Sequence, residues 1–315
     1  METVIPCIIG PTAVGKTRTG IAMARAIGAE IVSVDSRQVY RGLDVGADKV
    51  SGEIRSEIPH HMLDICDPDR TFTVADFARE CKRLIREIHT RGAVALLVGG
   101  TPYYYESLFS GIPEHGSVSD PEARKRLESR WKEEGPDALY EELKRVDPGS
   151  CSRIHPHDRY RVIRALEIFQ ATGRPRSDFH PSGHTGGLRP TYFGLFMKRE
   201  RLYDLIEKRV KHQFASGFPQ EVQSLLHRGC DPGLPALRGF GYRELVKWAA
   251  GSCSLEEAAE EDIRSTRAFC RRQMTWFRKF VPCLWYDGSD PETEDNMRNV
   301  MLSWRRRFLP GEYSV

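Results

Sequence analysis

The octapeptide GPTAVGKT, residues 10–17, follows the apolar run VIPCII and precedes RTGIAMARAIG. No other stretch limits the fold as strongly, because it demands a strand, a tight turn and a helix in that order. Gly10 and Gly15 permit backbone conformations that a side chain blocks, so the loop of Gly10, Pro11, Thr12, Ala13, Val14 and Gly15 can converge its N–H groups, all but that of the donor-less Pro11, on one anion. A helix beginning near Lys16 adds its positive N-terminal end. Lys16 can reach outer phosphate oxygens, and the Thr17 hydroxyl can ligate Mg²⁺. Gly28 reads as the helix stop. Pro6 is discordant inside a central strand. The loop binds phosphates, and the pattern leaves open a kinase, a nucleotide hydrolase and an enzyme that expels pyrophosphate.

Short apolar runs alternate with helical patterns, which predicts an α/β fold of the P-loop NTPase-like type with a doubly wound parallel sheet. The strand candidates are residues 4–9, 30–34, 93–100 and 191–197. Between the second and third, Phe77, Cys81, Leu84 and Ile88 keep helical spacing up to Gly92. After the fourth, Tyr203, Ile206, Val210 and Phe214 form one helical stripe that ends at Gly217.

The texture changes between residues 111 and 187. SDPEARKRLESRWKEEGPDALYEELKRVDPGS is heavily charged and reads as two exposed helices divided at Gly135-Pro136. A further helix over residues 159–172 and a Pro/Gly-rich return follow. The expected organisation is a core of residues 1–110 and 188–315 with a helical insertion of residues 111–187. Helix 159–172 is assignable to either.

The second strand ends at VDSRQVY and the third at VGGTPYY, so Asp35 and Thr101 share the carboxyl edge with the phosphate loop. Ligands bind at that edge in doubly wound sheets. Asp35 can be a general base, a Mg²⁺ ligand or a turn cap. The apolar strand ending in Gly99, Gly100 and Thr101 lacks the acid that nucleotide hydrolases place there.

In EDIRSTRAFCRRQMTWFRKF a helix aligns Arg264, Arg267, Arg271 and Arg278 on one side. Ile263, Cys270, Met274 and Phe277 fall on an adjacent stripe. Such arginines suit either a solvated face or an RNA surface that tracks phosphates. Arg161, Arg164 and the segment RGFGYRE add further basic groups. The net charge of only +3, from 47 basic and 44 acidic residues, requires any nucleic-acid surface to arise by local clustering.

Eight cysteines stand singly without a CxxC pair, consistent with reduced thiols in the cytoplasm and against zinc. The close pairs His60-His61 and His155/His157 lack further ligands at metal spacing, so capping or packing is expected of them. No leader and no membrane-length apolar run is seen.

The ordered series GPTAVGKT, SVDSRQVY, IPHHMLDICDP, LLVGGTPYY, IHPHDRYRVIRALEIFQATGRPRS, EKRVKHQFASGFPQEV, RGFGYREL and TRAFCRRQMTWFRKF resembles the tRNA dimethylallyltransferases, also called tRNA isopentenyltransferases. The resemblance runs to about residue 286. It implies transfer of a dimethylallyl group from dimethylallyl diphosphate to the exocyclic amine of the adenosine 3′ of a tRNA anticodon. The loop would then hold the diphosphate, with Mg²⁺ on Thr17. In family terms Asp35 takes the amine proton and Thr101 contacts the bridging oxygen. Lys16 and Arg209 stabilise the leaving pyrophosphate. The resemblance assigns tRNA contacts to Asp35, Ser36, Arg37 and Gln38, to Tyr160, Arg161 and Arg164, and to Arg238, Gly241, Tyr242 and Arg243. It further assigns Arg271, Arg272, Gln273, Trp276 and Arg278. The tRNA partner is the anticodon stem-loop, and a monomer without a protein partner is expected.

Two positions depart from the family. Members read Gly-Thr-Gly-Leu-Tyr where this chain has Gly100-Thr101-Pro102-Tyr103-Tyr104, and Pro102 removes one N–H donor. Members also tend to read Gly-Thr-Ala-Lys-Pro where this chain has Gly46-Ala47-Asp48-Lys49-Val50. Activity is expected to survive both. A small-molecule kinase and a nucleotide-gated RNA-binding protein are the competing readings, and whether ATP also occupies the loop stays open.

Overall fold

The central strand β4 (Val94–Gly99) is buried along its whole length, as an unbroken apolar run requires when helices cover both sides of a sheet. The structure is a computed structural model that describes residues 2–111, 120–180 and 187–308. Within those residues one six-stranded, all-parallel sheet has the order β3-β2-β4-β1-β5-β6. Its strands are β1 (Thr3–Ile9), β2 (Ala29–Val34), β3 (His60–His61), β4, β5 (Leu188–Phe196) and β6 (Cys283–Asp287). The expected parallel α/β core is present. The expectation of four strands fell short by two, because β3 has only two residues and β6 is a half-exposed edge strand.

Pro6 sits in β1 opposite Thr191 of β5. The ladder from β1 to β4 begins only at Cys7↔Leu97. The proline therefore precedes the stretch where β1 is paired on both sides, which relieves the discord.

Strand alternation divides the core into two layers. Ile8, Leu96, Val98, Phe193 and Leu195 face α1 (Lys16–Ile27), and Cys7, Ile9, Ala95, Leu97 and Tyr192 face the other way. The first layer also takes Ile206 and Val210 of α9 (Arg199–Ala215), together with Met297, Met301 and Trp304 of α13 (Thr293–Phe308). The second is filled by Phe77, Cys81, Leu84 and Ile88 of α3 (Val74–Thr90), Tyr105 of α4 (Pro102–Ser110) and Phe277 of α12 (Leu255–Phe277). The short α2 (Gly52–Glu57) leads into β3. A third cluster joins Val39, Tyr40 and Leu43 to α10 (Phe218–His227) and α11 (Tyr242–Ala249).

Residues 1–109 and 187–315 form one compact unit and residues 110–186 a second. The second contains α5 (Pro121–Glu133), α6 (Pro136–Val146), the one-turn α7 (Pro148–Cys151) and α8 (Arg159–Thr172). Residues 112–119 and 181–186 of the expected insertion lie outside the described residues. The charged helices α5 and α6 are not exposed all round, since Leu127, Leu139 and Leu143 pack on Val162, Ile163 and Leu166 of α8. Their few leucines at helical spacing supply a narrow core that the charge count conceals.

Candidate active site

The turn after β1 takes the expected form. Gly10 has φ +151° and Gly15 has φ +100°, conformations that side chains disfavour. Helix α1 starts at Lys16 with no side-chain cap and no acidic residue in its first turn. Its orphan N–H groups and positive end therefore face the loop unopposed, which is what an anion site needs.

This loop forms one wall of a cleft of about 390 Å³, at the lower end of the roughly 300–1,000 Å³ found for ligand pockets. Lys16, Thr17, Asp35, Asp48, Gly100 and Arg209 all line it. Burial lowers the Lys16 ammonium to about 8 against the opposing pull of Asp35. Its Nζ donates to the Pro11 carbonyl at 2.7 Å. Arg209, reaching in from α9, donates through Nη2 to Thr12 Oγ1 at 2.8 Å, while its Nε is buried without a hydrogen-bond partner. Two cations thus converge on the cradle, one of them with unfilled donor capacity.

Asp35 performs the capping role and also faces the cleft. Its Oδ1 accepts the N–H groups of Arg37 at 2.8 Å and Gln38 at 3.4 Å. Its Oδ2 has no hydrogen-bond partner among the described residues, and the side chain lines the pocket. Capping by one oxygen fixes the carboxylate and leaves the other available as a base. Thr101 follows β4, and its Oγ1 accepts the Ser36 N–H at 3.3 Å. Pro102 occupies the first turn of α4, where its missing N–H would have had no helical partner in any case.

Gly100 decides what this strand end can hold. A Cβ there would meet Gln273 Nε2 at 2.6 Å and Lys16 Nζ at 3.3 Å. Glycine stands where nucleotide hydrolases carry an acidic residue at such a strand end, and a side chain there would have to displace the ends of Gln273 and Lys16. Among the described residues, no group of three or more His, Cys, Asp or Glu side chains is placed to hold a metal ion. Thr17 in the cleft fits Mg²⁺ of the kind that takes its remaining ligands from phosphates and water. His61 is paired with Glu30 at 2.6 Å, and all eight cysteines are free.

Several residues assigned to tRNA face inward. Gln273 is only 3% exposed and Tyr242 only 1%. Gln273 holds Thr12 and Gly100, and the Tyr242 hydroxyl donates to Glu221 Oε1 at 2.8 Å. The Arg37 guanidinium donates to the Pro235 and Ala236 carbonyls, and the Gln38 amide nitrogen to those of Ala47 and Asp48. Gly241, with φ +81°, packs against Phe218 and Asp262. These side chains shape the loops that surround the cleft. Arg267 is likewise held, pairing with Glu207 at 2.9 Å. By contrast Arg238, Arg243, Arg271, Arg272 and Arg278 are exposed, and Trp276 is half-buried beside Tyr103. In the second unit Tyr160 is 63% exposed and Arg161 is exposed, whereas Arg164 pairs with Glu167 at 2.9 Å. Gln273 was the residue whose work the sequence concealed. Its readable signal was a polar residue on the inward 3–4 spacing of Ile263, Thr266, Cys270 and Phe277.

The model of the family described as IPP transferase matches residues 38–280, and that of isopentenyl transferase matches residues 3–64. The chain belongs to the IPP transferase family. It is 42% identical over 312 residues to the tRNA dimethylallyltransferase of Thermomicrobium roseum, covering 99% of this chain and 94% of that one. It is 43% identical over 307 residues to that of Geobacter sulfurreducens, covering 96% and 97%. Among solved structures it resembles the tRNA isopentenylpyrophosphate transferase of Bacillus halodurans, with 35% identity, a TM-score of 0.72 and 98% of each chain covered. A eukaryotic dimethylallyltransferase acting on tRNA gives a TM-score of 0.77 at 26% identity, covering 96% of this chain and 79% of the other.

Proposed function

We propose that this protein transfers the dimethylallyl group of dimethylallyl diphosphate to the exocyclic amine of the adenosine 3′-adjacent to the anticodon of tRNA, releasing pyrophosphate. The observation that carries this reading is one cleft holding both a phosphate cradle and a carboxylate with a free oxygen, Asp35, without the strand-end acid of a hydrolase. An adenine amine is a weak nucleophile, so the barrier falls chiefly through stabilisation of the leaving diphosphate. Lys16, Arg209 and the N-terminus of α1 supply that stabilisation. Mg²⁺ held by Thr17 would add positive charge on the diphosphate oxygens. The carbon–oxygen bond of the donor breaks, the amine nitrogen bonds to that carbon, and Asp35 receives the amine proton. Thr101 stands at the same edge to meet the bridging oxygen. The target base must leave its stack, which costs a few kcal/mol and least in a loop. The exposed arginines Arg238, Arg243, Arg271, Arg272 and Arg278, with Trp276 and, in the second unit, Tyr160 and Arg161, offer the chemistry that single-stranded RNA needs. The enzyme acts as a monomer in the cytoplasm, where its tRNA is found.

The test incubates the protein with labelled dimethylallyl diphosphate, Mg²⁺ and bulk tRNA, followed by digestion to nucleosides. Label in a prenylated adenosine is the expected result. ADP formed from ATP with a small acceptor would favour a kinase, and tRNA binding without a covalent product a binding protein.

A further inference from the structure

The inward stripe of α12 carries three polar side chains. Two of them satisfy each other, with Thr266 Oγ1 donating to Asp262 Oδ1 at 3.0 Å. The third, Gln273, reaches into the site. Its Oε1 accepts the Thr12 N–H at 2.9 Å, and its Nε2 donates to the Gly100 carbonyl at 2.5 Å. Each partner leads further. The Thr12 hydroxyl holds Arg209, and Gly100 precedes Thr101, whose hydroxyl accepts the N–H of Ser36 beside Asp35. On the outer face of the same turn Arg271 and Arg272 are exposed. A buried amide with both ends engaged is costly to disconnect, so a shift of this turn must carry the loop with it.

We propose that Gln273 is a positioning residue through which the RNA-facing helix α12 sets the phosphate loop, so that tRNA and the diphosphate bind with positive coupling. The proposal rests on the function assigned above. RNA phosphates on Arg271 and Arg272 fix the turn, Gln273 then fixes Thr12 and Gly100, and the loop meets the diphosphate already ordered. Coupling is reciprocal, so the donor tightens RNA binding by the same factor.

The experiment measures equilibrium binding of dimethylallyl S-thiolodiphosphate, a non-transferable analogue. It compares the protein alone with the protein saturated by a tRNA whose target adenosine is replaced by guanosine. For the wild type, the RNA tightens analogue binding by about 5–150-fold. In Gln273→Met, which keeps the length and loses both hydrogen bonds, the ratio falls toward one while affinity for RNA alone stays within a few-fold. A merely structural glutamine would lower the melting temperature and both affinities and leave the ratio unchanged. A wild-type ratio of one, or an unchanged ratio in Gln273→Met, overturns the proposal. If the variant does not fold, hydrogen exchange at the wild-type Thr12 amide decides. Slower exchange with the guanosine-substituted RNA and no donor supports coupling, and unchanged exchange overturns it. Absence of prenylated adenosine from wild type with authentic tRNA would instead defeat the assigned function.

Discussion

Asp48 Oδ2 stands 3.6 Å from Arg209 Nη1, and both side chains line the cleft. The carboxylate is held there by its backbone, which adopts φ +53° in a loop whose N–H groups at Asp44, Val45 and Gly46 all donate to Glu221. A diphosphate bound as proposed would share Arg209 with this carboxylate. Asp48→Ala should therefore lower the KM for the diphosphate by about two- to fivefold with little change in kcat, since exposed ion pairs are typically worth up to about 1 kcal/mol. Steady-state kinetics with varied donor check this, and an unchanged or higher KM would mean that Asp48 does not oppose the donor.

Asp35→Ala should slow the chemical step by ~10²–10⁴ while leaving tRNA affinity within a few-fold. Because Oδ1 also caps the turn at Arg37 and Gln38, Asp35→Asn is the informative companion. It keeps an acceptor for the cap and loses the base. Single-turnover rates near wild type in Asp35→Asn would reduce Asp35 to a cap.

Donor affinity should weaken above pH 8. Burial holds Lys16 near 8 instead of 10.5, so the free cleft loses this charge as pH rises through that value. A bound diphosphate favours the charged form and raises the pKa. Affinity for the thiolodiphosphate analogue is then flat below pH 8 and falls by up to about tenfold per unit above it. Lys16→Met should bind weakly and without that dependence between pH 7 and 9.5.

The RNA surface should separate into two classes of arginine. Neutralising Arg271, Arg272 and Arg278 together should weaken tRNA binding and flatten its salt dependence by roughly two units in the log–log slope. Arg267→Gln should leave the slope alone and lower the melting temperature, because Arg267 pairs with Glu207 and its guanidinium lies over the Tyr203 ring. A salt slope unchanged in the triple variant would mark this face of α12 as solvated only.

Stability should fall as pH rises from about 4 to 7 through one buried carboxyl. Burial chiefly, and Glu244 beside it, raise Asp262 from 3.8 to about 7, while the Thr266 hydrogen bond, Arg209 and Arg243 pull the other way. The folded state keeps this proton when the unfolded chain has released it. The contribution is therefore complete below about pH 4 and lost as pH climbs through 7. Asp262→Asn should flatten that part of the melting-temperature profile.

What the sequence disclosed followed periodicity and short-range geometry. The phosphate loop, β1, β2, β4 and β5 announced themselves through local residues, as did the stripe Phe77, Cys81, Leu84 and Ile88. Asp35 could be placed at the carboxyl edge because a strand end is a local property. The direction of a long polar side chain is not local. Arg37, Gln38, Tyr242 and Gln273 point inward because carbonyls, a carboxylate and N–H groups distant in the chain await them. Arg267 belongs with them, since its partner Glu207 lies on another helix. The edge strand β6 escaped notice because its five residues, CLWYD, are too short a run to show alternation and follow closely on a long helical pattern.

The register Thr3↔Leu188 through Ile9↔Gly194 has a consequence for the order in which the chain is made. One whole flank of β1 must wait for a partner synthesised about 185 residues later, an interval of roughly ten to forty seconds at about 5–20 residues per second. During that time the nascent chain presents an apolar, unprotected edge able to template pairing with other chains. The second unit, residues 110–186, is made entirely within this interval. A chain stalled before residue 188 should therefore aggregate more readily than one stalled after β5 has left the ribosome and covered that flank of β1.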